Sequence, residues 1–69
     1  MSNKFKLYDL LILLEISRSP FISGYDIIVI FQKKFNLFIS PGTIYLILYK
    51  LERDGLIKGE DRRRKGFMP

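Results

Sequence analysis

Ser40-Pro41-Gly42-Thr43-Ile44-Tyr45-Leu46-Ile47-Leu48-Tyr49-Lys50-Leu51-Glu52-Arg53-Asp54-Gly55 is the stretch that decides the fold. Ser40 suits the N-cap of a helix, and Pro41 suits its first turn, where a missing N–H costs nothing. Gly55 is placed to close the far end in a left-handed conformation. At about 100° per residue, Ile44, Ile47, Leu48 and Leu51 fall on one side, while Tyr45, Leu46, Tyr49, Lys50 and Arg53 share the other. The first set must face a core. The second is too rich in aromatic and basic groups to be explained by burial.

Working outward, Leu56-Ile57-Lys58-Gly59-Glu60 and Lys65-Gly66-Phe67-Met68 read as two short strands around the charged turn Asp61 to Arg64. Upstream, a second helical pattern starts after Ser23, runs to about Phe35 and stops at Asn36. A first helix covers about Phe5 to Ser17 and ends before Arg18-Ser19-Pro20, where proline cannot continue it. No internal repeat or linker interrupts the chain. The expected fold is mainly α with a small β-hairpin: three helices plus a two-stranded wing, a winged helix-turn-helix occupying residues 1–69 as a single domain.

Composition narrows the function. The 69 residues include no Cys and no His, which removes disulfides, the usual zinc sites, the commonest general base and the thiol nucleophile. The seven acids are never three or four residues apart, so no helical face pairs two carboxylates. An enzyme is not expected, nor is a cofactor or metal. Asp9 and Glu15 interrupt the Leu-rich N-terminal run and no small-residue cleavage site follows, against a signal peptide. The longest uncharged stretch, Phe35 to Tyr49, contains Ser40-Pro41-Gly42 and falls short of the roughly 20 apolar residues a spanning helix needs. A soluble, cytoplasmic protein with no membrane partner is the expectation.

The residues Ser23-Gly24-Tyr25-Asp26-Ile27-Ile28, Phe35 through Tyr45, Leu48, Leu51-Glu52, Gly55-Leu56-Ile57 and Arg62-Arg63-Arg64-Lys65 together resemble the PadR-like transcriptional regulators. The resemblance covers Leu10 to Lys65 and is carried chiefly by Ser40-Pro41-Gly42-Thr43-Ile44-Tyr45. It implies a winged-helix regulator that binds double-stranded DNA. It also implies a longer wing and a C-terminal helix that builds a dimer and part of an effector pocket. This chain stops at Pro69, so a small-molecule effector is not expected. An extra residue between Pro20 and Gly24, and Val29 and Ile30 in place of polar residues, are further departures.

Several groups are therefore candidates for DNA contact. In a recognition helix set into a major groove, Lys50 and Arg53 could meet phosphate or guanine, Tyr45 and Tyr49 could donate hydroxyls, and Leu46 could pack on thymine methyls. Ser40 and the N–H groups of Gly42 and Thr43 sit at the positive end of the helix dipole, where a phosphate is favoured; a plain structural cap is the other reading. Net charge is +5, and residues 62–69 alone carry four bases and no acid. Arg62, Arg63, Arg64 and Lys65 thus place a basic tip on the wing, suited to phosphates or a minor groove.

The first helix is apolar on two sides. Leu7, Leu10, Leu11 and Leu14 form one stripe; Phe5, Tyr8, Ile12 and Ile16 form another at nearly the opposite angle. A domain this small buries only about 60% of its unfolded surface, and has little left to cover both stripes. One of them is expected to be a homodimer interface, giving Phe5, Leu7, Tyr8, Leu10, Leu11, Ile12 and Leu14 as interface candidates. Coverage by a strand or by Phe67 to Pro69 is the alternative. A different reading of the whole chain is a winged-helix module that binds protein and not DNA. The two differ in whether Tyr45, Tyr49, Lys50, Arg53 and Arg62 to Lys65 form one basic face.

Overall fold

The structure, a computed structural model, describes residues 3–69, with side chains from Leu7 onward. Its elements run α1 (Asn3–Ser17), β1 (Ile22–Ser23), α2 (Gly24–Phe35), α3 (Pro41–Arg53), β2 (Lys58–Asp61) and β3 (Lys65–Met68). The three helices and the hairpin follow one another in the order the sequence predicts.

Each helix is punctuated by its own side chains. Ser23 Oγ accepts from the Asp26 N–H at 3.1 Å while Asp26 Oδ2 accepts from the Ser23 N–H at 3.2 Å, a reciprocal capping box that starts α2. Asn36, at φ 53°, ends that helix in the left-handed region, and its N–H donates to the Gln32 carbonyl. Ser40 caps α3 by accepting the Thr43 N–H at 3.2 Å. At the other end Gly55 has φ 80°, letting the Gly55 and Leu56 N–H groups reach back to the Glu52 and Leu51 carbonyls.

The sheet contains a strand that the sequence does not announce. Two-residue β1 pairs antiparallel with β3, Ile22 opposite Phe67 and Ser23 opposite Gly66, giving the order β1-β3-β2. Across the hairpin, Lys58 opposes Met68 and Asp61 opposes Lys65. β2 therefore begins at Lys58 and not at Leu56; Ile57 is buried before it and Leu56 is exposed.

The core is built mainly from isoleucine: Ile12 and Ile16 from α1, Ile27 and Phe31 from α2, Ile44, Ile47, Leu48 and Leu51 from α3, closed by Ile22, Ile57 and Phe67. All four α3 residues assigned to the core by periodicity are buried. Glu15 is buried too, with Lys34 of α2 at 3.2 Å and Arg18 at 3.8 Å. A buried carboxylate needs such partners, so Glu15 joins α1 to α2 electrostatically.

For α1 the two stripes are now distinguished, and the interface set is corrected. Ile12 is fully enclosed by the subunit's own core and Tyr8 packs against it, so these two face inward. Leu7, Leu10 and Leu14 are exposed and Leu11 is half-buried. The side chain of Phe5 lies outside the described residues. The physical reason is that both stripes are equally apolar, and only the position of α2 and α3 decides which is covered.

Candidate nucleic-acid interface

The outward side of α3 presents Leu46, Tyr49 and Arg53, and these line one shallow depression together with Lys50. They stand at i, i+3, i+4 and i+7, one stripe of a helix. Leu46 is 63% and Tyr49 49% exposed, and they stand side by side with Arg53 on one stripe. The helix thus carries an apolar and aromatic surface with a guanidinium at its C-terminal end. Arg53 is widely exposed, with Asp54 at 3.5 Å its weak partner.

Tyr49 joins this helix to the wing. Its ring meets Tyr45 at 6.1 Å and the edge of Phe67 at 6.2 Å, and Lys65 Nζ stands 6.0 Å from its centroid. Lys65, at the start of β3, is thereby brought beside the exposed stripe. Cation–π contact of this kind orients a lysine without neutralising it.

Four residues expected from the sequence to contact DNA have other engagements. Tyr45 is half-buried with its ring against the α-carbon of Gly24, so close that a Cβ there would lie 2.5 Å from Cζ. It is a spacer between α2 and α3, which is why α2 opens with glycine. Lys50 turns toward α1, where its Nζ pairs with Asp9 Oδ2 at 2.5 Å. The Thr43 N–H is taken by Ser40 Oγ, and the two hydroxyls also bond, Ser40 donating to Thr43 Oγ1 at 2.9 Å. That leaves Gly42 as the open point of the helix start: exposed, with nothing within 4 Å of a Cβ built on it.

The wing arginines are not equivalent either. Arg62 is gripped by Glu60 (Nη2 2.9 Å, Nε 3.1 Å) and lies over the Phe21 ring at 4.0 Å. Arg64 donates to Asp26 Oδ2 at 3.1 Å. Arg63 is exposed and has no ion-pair partner among the described residues. Phe21, Gly24, Asp26 and Asp9 all shape this region and none was singled out from the sequence as part of it. Asp26 alone carried a local signal, its spacing of three from Ser23.

The model of the transcriptional regulator PadR-like family matches residues 10–67. The chain belongs to that family. Neither a curated protein nor a solved structure matches it. The PadR-like family consists of DNA-binding transcriptional regulators and not of enzymes, and the three helices with an antiparallel hairpin are its winged-helix fold. In this PadR-like chain, Ser40 caps α3 and Pro41 opens it, and β2 and β3 are the wing. Among the described residues no helix is long and apolar enough to cross a membrane.

Proposed function

We propose that residues 1–69 form one winged-helix domain that binds double-stranded DNA sequence-specifically, with α3 in the major groove and the wing on the phosphate backbone or in the minor groove. The observation that supports it most is the exposed Leu46, Tyr49 and Arg53 stripe, lying back to back with a fully buried stripe on the same helix. A helix that keeps one face for the core and shows large apolar, aromatic and cationic groups on the other is shaped for a groove. Leu46 meets thymine methyls, Tyr49 and Arg53 meet base edges or phosphate, and the Gly42 N–H with the Thr43 hydroxyl receives a phosphate at the helix start, where Ser40 orients that hydroxyl. Tyr45 acts from behind this face as a spacer, and Lys50, at the edge of the face, links α3 to α1 and reaches DNA when its pair with Asp9 opens. Lys65 and the basic tip of the wing hold the backbone. The protein works as a homodimer in the cytoplasm, joined through the exposed Leu7, Leu10 and Leu14 of α1 with Leu11 at their edge.

The test is a gel-shift titration with the protein's own upstream DNA against random duplex. Leu46→Ala and Tyr49→Ala are expected to lower the ratio of specific to random affinity by roughly five- to a hundredfold, the range of one good base contact. Circular dichroism controls for Tyr49, whose ring also packs on Phe67. Equal loss on both DNAs would move these residues from reading bases to holding phosphates. No binding to either DNA would leave a protein-binding module.

A further inference from the structure

The four basic residues of the wing sit within a bend and the first position of β3, and hairpin tips of this kind are usually mobile. Here the tip is tied down on both sides of Arg63. On one side Phe21 is sandwiched: one face and edge of the ring rest on Gly66, where a Cβ would lie 2.1 Å from Cζ, and the guanidinium of Arg62 covers it at 4.0 Å. Glu60 holds that guanidinium by two nitrogens. On the other side, Arg64 binds Asp26 Oδ2, the same oxygen that the Ser23 N–H fixes in the capping box of α2. Ser23 is in turn the partner of Gly66 in the sheet. The two ties converge on one short piece of backbone, Phe21 to Asp26.

We propose that Arg62 and Arg64 are positioning residues that clamp the wing to the body through Phe21 and Asp26, leaving Arg63 as the arginine that the wing presents to DNA. This rests on the DNA-binding reading above and deepens it. An exposed ion pair holds little by itself. Three features make the two ties count together: for Arg64 an acceptor already fixed by a helix cap, and for Arg62 a ring on which it stacks and a carboxylate that orients it. A tip ordered in advance loses less freedom when it meets DNA, so the clamp raises affinity without touching the nucleic acid.

Asp26→Asn gives a test in which two causes have opposite signs. Asn can still accept the Ser23 N–H, so the helix cap survives. If Asp26 were only a negative charge near the phosphates, removing it would tighten DNA binding. If it is half of the clamp, binding weakens, by roughly three- to tenfold, although the protein has become more positive. The clamp is read without DNA through backbone ¹⁵N heteronuclear NOEs at residues 62–64. These should fall in Asp26→Asn, and also in Gly66→Ala, which evicts the Phe21 ring. In an Arg64→Ala background, Asp26→Asn should lower them no further. Arg63→Ala should leave the NOEs intact and lose DNA affinity, with the salt slope shallower by about 0.9. Tighter binding of Asp26→Asn with unchanged NOEs overturns the clamp, and an Arg63→Ala protein that binds normally overturns the assignment of Arg63. Loosened NOEs in a protein that binds no DNA would uphold the clamp while removing the DNA-binding reading on which its purpose rests.

Discussion

Raising the salt from about 50 to about 200 mM is expected to weaken DNA binding roughly 60-fold per bound subunit, a slope of log K against log salt near −3. The number comes from counting cations that are free to meet phosphate. Arg53, Arg63 and Lys65 give about three contacts, and each released counterion contributes about 0.9 to the slope. Arg62, Arg64 and Lys50 are left out because Glu60, Asp26 and Asp9 already pair with them. The slope therefore reports on the ion pairs as well as on DNA. A value near −5 would mean that those three pairs open on binding and that their cations join the phosphate contacts. A slope close to zero would remove the DNA-binding reading, because no basic wing could then be meeting a polyanion. For a dimer on a two-part site the slope doubles, so the stoichiometry must be measured in the same titration.

The sequence was most readable where a single element carries its own punctuation. α3 is bounded by Ser40, Pro41 and Gly55, and its core stripe follows from a period that no tertiary contact has to supply. The basic tip of the wing was equally plain as a run of charge. What the sequence concealed are relations between distant residues. β1 has two residues, too few for an alternation to show, and exists because Ile22 and Ser23 meet β3. Lys50 looked like a groove-facing cation until α1 brought Asp9 to it across 41 residues of sequence. The four wing bases read as one patch, yet Phe21, Glu60 and Asp26 give them separate tasks. The opening glycine of α2 could be seen, but its reason, the ring of Tyr45, could not.

Ile12→Glu and the pair Leu7→Glu with Leu14→Glu are expected to fail in different ways, although all three positions lie on α1. Ile12 has no exposed surface, and a carboxylate there would replace a well-packed side chain and have no partner. Burying an unpaired charge costs several kcal/mol, and deleting an Ile contact adds roughly 2 kcal/mol or more. A domain of this size has a total stability of only about 3–10 kcal/mol, so Ile12→Glu should be largely unfolded at 25 °C by circular dichroism. Leu7 and Leu14 are 53% and 45% exposed, and glutamates there extend into water. That variant should keep its helical spectrum and lose self-association, because each leucine taken out of water contributes up to about 1.5–3 kcal/mol. Sedimentation equilibrium is the measurement: a dimer for the wild type, a folded monomer for Leu7→Glu with Leu14→Glu, and weaker binding to a palindromic site for the monomer. The size of the domain is compatible with this arrangement. The domain is 31 Å in its longest dimension, so two copies in contact can bring their α3 helices to successive major grooves, about 34 Å apart. The Asp9 and Lys50 pair ties α3 directly to the helix that would carry the interface, so the spacing of the two reading helices would be set by rigid contacts. A wild type that remains monomeric at high micromolar concentration, and binds a single half-site as tightly as a palindrome, would leave the exposed leucines of α1 without this partner.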